Sequence, residues 1–153
     1  MGQWAIVETP AGGTVPVWHP VDWLALPPTL TDFWTERHLC TLSTLDRHGA
    51  PHAVAVGATV DVEQRCAWII TSGASQKVAN LRRDPRLSVT QVDRARWSSI
   101  SGTAEVLADE VSIARACAMY AGRYRDPRPN PERVAVRITV ERFLGSSQVI
   151  PPR

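Results

Sequence analysis

The chain has 153 residues, a length that suits one domain with a single core. Hydrophobic residues make up 44% and charged residues 21%, and the net charge of +2 is too small to indicate nucleic-acid binding. No apolar run approaches the length of a membrane span, and residues 1–28 lack the basic-then-apolar pattern of a signal peptide. We therefore expect a cytoplasmic protein without a nucleic-acid or membrane partner.

The cysteines and histidines predict neither disulfides nor a metal site. The three cysteines are odd in number, far apart and set in apolar segments, which favours reduced core residues. Three histidines fall between residues 38 and 52, but they span a predicted helix end, a turn and a strand. That spacing does not bring ligand atoms together, so we expect no metal.

Residues 1–28 differ in composition from the remainder. They hold five of the twelve prolines and three of the six tryptophans, with no clear period. We interpret them as an ordered or partly ordered Pro/Trp-rich arm preceding a domain at 29–153. The tryptophans favour packing on another surface, such as a partner subunit, and a flexible extension is the alternative.

The regular pattern begins at Leu30 and predicts a mainly β, α+β fold. The predicted elements are a helix to residue 37 capped by Thr29 or Thr31, strands at 39–45, 51–62 and 66–72, a helix from Ser75 to Pro85, strands at 86–93 and 97–107, a helix at 109–124 capped by Asp109, and a strand at 134–141. Six strands in mainly hairpin order predict an antiparallel barrel with short flanking helices.

The predicted strand 51–62 has two unlike faces. One face carries His52, Val54, Val56, Ala58, Val60 and Val62, and the other carries Ala53, Ala55, Gly57, Thr59 and Asp61. Successive side chains of a strand alternate between faces. The valine face suits a core, whereas the small face leaves room for a flat ligand. His52 is either a rim residue or a ligand contact.

Residues 69–85 predict an anion site. The strand ends at Thr71 and Ser72, and Ser75 begins a helix with Lys77 in its first turn. Unpaired N–H groups at a helix start attract anions, and hydroxyls with a lysine strengthen the attraction. Because Lys77 opposes the helix dipole, stability alone does not explain it. The alternative is an ordinary capped helix.

Two further features have a functional and a structural interpretation. Arg123, Arg125 and Arg128 lie in a proline-rich segment that either holds carboxylates or forms a rigid polar linker. Trp97, at the start of a strand, is either core or an aromatic wall beside a planar ligand.

Four segments together carry a resemblance to a known family. They are HGAPHAVAV (48–56), SQKVANLRRDPR (75–86), QVDRARW (91–97) and YRDPRPNP (124–131). From about Thr31 to Ser146 the chain resembles the split β-barrel flavin and deazaflavin proteins of the pyridoxamine 5′-phosphate oxidase-like family. Within that family it is most similar to the actinobacterial branch that uses the deazaflavin coenzyme F420, particularly its biliverdin reductases.

The resemblance implies a homodimer with a cofactor site at each side of the interface. By resemblance, the segment Ser75-Gln76-Lys77 holds the cofactor phosphate, the stretch Pro51–Val56 lies against the deazaflavin, and Trp97 approaches from the other subunit. The residues that we predict to bind the cofactor are His52, Val54, Ala55, Val56, Thr71, Ser72, Ser75, Gln76, Lys77 and Trp97. Arg125 and Arg128 are our candidates for pairing with substrate propionates or with the glutamate tail of the cofactor. The implied activity is hydride transfer from reduced F420 to a small conjugated substrate, biliverdin or a similar tetrapyrrole.

Two alternatives remain at this point. The same fold can bind FMN and act as an oxidase or reductase, since both cofactors combine three rings with a phosphate. A non-catalytic carrier of F420 or a tetrapyrrole is the other alternative. We name no catalytic side chain, because hydride transfer between aligned planes does not require a side-chain acid.

Overall fold

The computed structural model describes residues 4–8, 14–18 and 21–152, with side chains from residue 21 onward. Its elements are β1 (Trp4–Glu8), β2 (Thr14–Trp18), α1 (Pro28–Thr35), β3 (Cys40–Leu45), β4 (Pro51–Val56), β5 (Ala58–Asp61), β6 (Cys66–Ser72), α2 (Gln76–Arg83), β7 (Arg86–Asp93), β8 (Arg96–Leu107), α3 (Glu110–Arg123) and β9 (Arg133–Gly145). No helix in these ranges has the length and apolar character needed to span a membrane.

The strands form one antiparallel sheet that curls into a half-barrel, which confirms the predicted mainly β fold. The order is β1-β2-β9-β8-β7-β3-β4, while β6 pairs with both β9 and β5. Strand β9 is the common element, because β8 pairs along most of its length and β6 pairs along its first half. Its alternation of buried Val136, Ile138 and Val140 with more exposed residues confirms the predicted half-buried strand.

The prediction of one strand over residues 51–62 is wrong. The strand is interrupted at Gly57, so that β4 pairs with β3 whereas β5 pairs with β6. Residues 40–145 therefore contain seven strands instead of the predicted six. After the break the faces change: Thr59 and Asp61 are buried and Val62 is 45% exposed. At the break the backbone packs closely against α3, since a Cβ on Gly57 would lie 2.7 Å from the Tyr120 ring.

The described parts of the arm form a hairpin at the edge of the sheet. Strands β1 and β2 pair with each other, and β2 joins the end of β9. Trp23 then packs edge-on against Phe143, with ring centroids 6.0 Å apart. The remainder of the predicted arm, including the side chains of Trp4 and Trp18, lies outside the described residues.

The helix ends confirm one predicted cap and correct another. Asp109 caps α3 by accepting a hydrogen bond from the Ser112 N–H at 2.9 Å. The cap predicted at Thr29 or Thr31 is wrong, because α1 begins at Pro28, whose ring presets the helical φ. Thr29 Oγ1 instead donates to the Val149 carbonyl at 2.7 Å, and the helix ends at Thr35.

Two apolar clusters form the core of the described region from residue 21 onward. The larger lies inside the curled sheet against α1 and α2, and its fully buried side chains include Phe33, Leu42, Ile100, Ile138 and Phe143. The smaller lies beneath α3, where burial raises the pKa of the Cys66 thiol to about 11. All three cysteines are free.

Arg123 does not belong to the arginine cluster that the sequence predicts, because its side chain is buried. Its Nε donates to the Glu36 carbonyl at 2.8 Å and its Nη1 to the Ala58 carbonyl at 2.6 Å. Its Nη2 donates to the Gln91 side-chain oxygen, and the guanidinium lies 5.4 Å from the Trp34 ring centroid. One side chain therefore ties α3 to α1, β5 and β7.

We predict that Arg123→Met strongly destabilises the fold. The substitution removes the charge-assisted hydrogen bonds to two buried residues, Ala58 and Gln91, and a hydrogen bond to a charged group contributes about 1.5–3 kcal/mol. Urea unfolding should therefore show a loss on the order of 3 kcal/mol or more. Arg82→Met, at an exposed arginine of α2, is the control and should cost less than about 1 kcal/mol; equal losses would contradict the structural role.

Candidate functional site

A cleft opens between the end of β4 and the end of β6, two strands of the half-barrel that do not pair with each other. It encloses about 270 Å³ and is bounded by four segments: the end of β4, the end of β6, the first turn of α2 and the connection from α3 to β9. Its lining residues are Ala55, Val56, Gly57, Ile70, Thr71, Lys77, Tyr120, Arg125, Pro127, Arg128, Asn130 and Arg133.

The cleft brings together half of the residues that the sequence predicts for the site. The predicted residues that line it are Ala55, Val56, Thr71, Lys77, Arg125 and Arg128. Those that do not line it are His52, Val54, Ser72, Ser75, Gln76 and Trp97. Ser72 lies directly beside the cleft, because it pairs with Arg133 in the β6–β9 register.

The lining is strongly cationic. Four cations contribute to it, Lys77, Arg125, Arg128 and Arg133, and no carboxylate is among the lining residues in the described part of the chain. Within the described part of the chain, neither Lys77 nor Arg125 forms an ion pair. Arg133 Nη2 donates to the Arg128 carbonyl, which holds the connecting segment over the cleft. Several like charges facing one cleft favour an anionic ligand.

The start of α2 has the polar groups of an anion site. Ser75 is at the N-cap position, as predicted, but its hydroxyl does not cap the helix. The hydroxyl lies instead 3.4 Å from Thr71 Oγ1, at the end of β6. Since the first-turn N–H groups have no intrahelical partner, they add to the positive charge of Lys77. The alternative of an ordinary side-chain-capped helix does not hold here.

The strand β4 has the two faces that the sequence predicts up to its end. Val56 is buried and Val54 half-buried on the core side, whereas Ala53 and Ala55 are exposed. The small face is therefore open beside the cleft. His52 lies on the core side, and its Nδ1 is buried without a hydrogen-bond partner among the described residues.

The sequence did not single out Tyr120, which lines the cleft. Its ring stacks on Tyr124 with centroids 5.0 Å apart, and Tyr124 Oη donates to the His38 carbonyl at 2.7 Å. Burial raises the pKa of Tyr124, which keeps the hydroxyl protonated. The spacing of Ile113 and Tyr120 in the sequence indicated that both lie on the core-facing side of the helix, but it gave no sign that Tyr120 lines a cleft. Arg133 was missed because the strand was predicted to begin at residue 134. Asn130, in the connection between α3 and β9, was not singled out either.

Trp97 lies far from the cleft of its own chain. The neighbouring Ser98 pairs with Gly145 at the end of β9, whereas Thr71 pairs with Val134 near its start. Eleven positions along a strand correspond to a distance on the order of 30 Å. A contact between Trp97 and a cleft would therefore have to come from a second subunit. The predicted contact of Trp97 with the cofactor stays a prediction.

Among the side chains that the structure describes, one group has metal-ligand composition. Ligand atoms of Glu36, His38 and Asp93 lie within 4.8 Å of one another. Arg96 is placed between the carboxylates, with Nη2 2.9 Å from Glu36 Oε2 and hydrogen-bonded to Asp93 as well. The hydrogen bonds from Arg96 and then His38 lower the pKa of Glu36. The group is therefore an ion-pair network.

Comparison with known proteins identifies the family. Residues 26–146 match the pyridoxamine 5′-phosphate oxidase family. The chain belongs to this family. It is 46% identical over 118 residues to an F420H2-dependent biliverdin reductase of Mycobacterium tuberculosis, a match covering 77% of this chain and 86% of that protein.

Solved structures agree on the fold. A conserved hypothetical protein of Mycobacterium tuberculosis has a TM-score of 0.68 at 28% identity, covering 84% of this chain and 91% of that one. A structure titled F420 reductase has a TM-score of 0.64 at 18% identity, covering 77% and 98%. A heme-binding protein of Mycobacterium smegmatis has a TM-score of 0.59 at 22% identity, covering 80% and 55%.

In this member of the oxidase family, every cleft residue falls within the matched span, since the lining runs from Ala55 to Arg133. The arm before residue 26 lies outside it. The cleft is therefore built by the part of the chain that the family shares.

We predict that Gly57→Ala displaces Tyr120 and destabilises the fold. The new methyl group would lie 2.7 Å from the Tyr120 ring and 2.9 Å from the Tyr124 ring, and overpacking costs about 1–3 kcal/mol. Urea unfolding measures the cost, and near-ultraviolet circular dichroism reports the tyrosine pair. Gly122→Ala is the matched control, because nothing lies within 4 Å of its added Cβ. An unchanged tyrosine signal in Gly57→Ala would contradict the packing.

Proposed function

We propose that this chain is an F420H2-dependent reductase that acts on biliverdin or a similar conjugated tetrapyrrole. The observation that carries the proposal is the cationic cleft beside the open small face of β4. The 46% identical relative named F420H2-dependent biliverdin reductase supports the same activity. The three free cysteines favour a cytoplasmic location.

The cleft residues fit a flat cofactor with a phosphate and an acidic tail. The phosphate would bind at the start of α2, through its N–H groups, Lys77 and the hydroxyls of Thr71, Ser72 and Ser75. The ring system would lie against Ala55 and Val56 at the end of β4. Arg125, Arg128 and Arg133 would hold the carboxylates of the tail or the propionates of the substrate.

The number of cations favours F420 over FMN. FMN has a single phosphate, whereas F420 adds the carboxylates of a glutamate tail. Four cationic side chains without an acidic neighbour in the lining exceed what one phosphate requires. A ligand with several anionic groups would offset the repulsion among these side chains more fully than a single phosphate. FMN remains the alternative cofactor within the same fold.

The roles of the chain in the reaction are to bind, orient and exclude water. When bound, reduced F420 supplies a hydride from its C5 to an electrophilic carbon of the substrate, and the proton it loses balances the proton that the substrate gains. Ile70 and Tyr120 close the cleft with apolar surface, and the arginines stabilise negative charge that develops on the substrate. No carboxylate or histidine lines the cleft, so we assign no side-chain acid.

We also propose that the active form is a homodimer. Five residues lie side by side in register and form a row of mostly small side chains on the outer face of the sheet: Ala55, Thr41, Thr90, Ser99 and Leu144.

The same face ends in exposed apolar groups. Leu39 is 73% and Val92 64% exposed, and Val92 pairs with Trp97. An exposed apolar patch at the end of this row suits burial against a second copy. Such a contact would place Trp97 at the interface and bring it towards the cleft of the partner subunit.

A carrier without turnover is the second candidate function. The fold similarity to the heme-binding protein of Mycobacterium smegmatis makes it worth testing, although at 22% identity that similarity concerns the fold alone. Tight binding of F420 or biliverdin without turnover would favour it.

The activity test uses substoichiometric protein with reduced F420 and biliverdin, followed by absorbance. We predict multiple turnovers, and Lys77→Ala should weaken F420 binding about tenfold or more, because a charge-assisted phosphate contact is lost. Arg82→Ala, on the exposed side of α2, should bind F420 as the unmodified chain does. Binding of FMN in preference to F420, or unchanged affinity in Lys77→Ala, would contradict the assignment.

The dimer is tested by Val92→Glu, which places a charge in the proposed interface. Analytical ultracentrifugation should show a dimer for the unmodified chain and a monomer with weakened F420 binding for Val92→Glu. Val111→Glu is the control, because Val111 is 81% exposed on α3. A monomeric unmodified chain with full activity would reject the proposal.

A further inference from the structure

A hydrogen-bond network lies beneath α2, centred on Asn80, which is fully buried. Asn80 Oδ1 accepts from Gln76 Nε2 at 2.8 Å and from Arg83 Nη2 at 3.1 Å. Asn80 Nδ2 donates to Thr44 Oγ1 of β3 at 3.0 Å. The network thus spans the first and last turns of the helix and reaches the sheet.

The orientation of the Asn80 amide follows from its partners. Gln76 Nε2 and Arg83 Nη2 can only donate, so they must face the amide oxygen, and Nδ2 must face Thr44. Arg83 also donates to the Leu45 carbonyl at 3.1 Å, which joins the helix to β3 a second time. These directional bonds join α2 to β3 at both Asn80 and Arg83.

Apolar packing alone would not fix the placement of α2 on the sheet. The other buried residues of α2 are Val78 and Leu81, and hydrophobic contact is non-directional. The helix has only eight residues and lacks a side-chain cap, so its first turn is not secured locally. A buried amide is costly unless its hydrogen bonds are satisfied, and here they hold the helix in register with β3.

We propose that Asn80 is a positioning residue for the phosphate site. Through Gln76 and Thr44 it holds the first turn of α2 so that its N–H groups and Lys77 face the cleft. This inference rests on the proposed function, because it assumes a ligand whose phosphate binds at the start of α2. Gln76 then stabilises the first turn of α2 through its hydrogen bond to Asn80 and does not itself line the cleft.

The test compares two isosteric substitutions at buried threonines. Thr44→Val removes the acceptor of Asn80, whereas Thr59→Val removes a hydroxyl that has no partner among the described residues. Thr44 is 2% and Thr59 3% exposed, so the chemistry and burial are matched. Asn80→Leu removes the central amide of the network. Thr44→Ser is the conservative variant, because serine keeps the hydroxyl that accepts from Asn80.

The measured quantity is the ratio of the dissociation constants for F420 and for its deazaflavin chromophore without the phosphate. We expect Thr44→Val and Asn80→Leu to raise the F420 constant about tenfold while the constant for the chromophore changes little. Thr59→Val and Thr44→Ser should keep the original ratio.

The outcomes separate the two proposals. Failure of the unmodified chain to bind F420 would reject the proposed function and this inference with it. If the unmodified chain binds F420 but Thr44→Val weakens both ligands equally, Asn80 has only a structural role and the inference fails. If Asn80→Leu does not fold, the Thr44→Val and Thr44→Ser pair decides by the same ratio.

Discussion

The buried guanidinium of Arg123 is the constraint on which the site depends. It donates to the Ala58 carbonyl directly after the strand break and to the end of α1, so α3 cannot move away from the sheet. The same helix carries Tyr124, whose hydroxyl accepts from the Ala58 N–H, and Tyr120, whose ring lines the cleft. With the rings fixed there, only glycine fits at residue 57.

The strand break is also what opens the cleft. Because β4 and β5 join different neighbours, the half-barrel is open between β4 and β6, and the start of α2 reaches that opening. The segment after α3 covers it with arginines, one of which, Arg133, begins β9. The cleft therefore combines a flat small face, a helix start and a concentration of positive charge, as the proposed F420 site requires.

Local patterns predicted the parts of this arrangement well. The period of β9, the Asp109 cap and the start of α2 at Ser75 depend on side chains close together in the chain, and the structure confirms them. The resemblance to the oxidase family rested on short motifs and is also confirmed. Patterns failed where the structure depends on a distant element. The alternating valines of residues 51–62 predict one strand, but the strand ends at Gly57, where Tyr120 of α3 packs against the backbone.

By itself the sequence determined the period of β9, the starts of α2 and α3 and the presence of cations near residues 77 and 125–128, because these depend on neighbours in the chain. Only the tertiary structure decided which arginine is buried and which lines the cleft, since the partners of Arg123 are the distant residues Glu36, Ala58 and Gln91. It also placed Trp97 at the opposite end of β9 and Asn80 against Thr44. Those outcomes depend on the long-range pairing of strands and helices, which no local pattern contains.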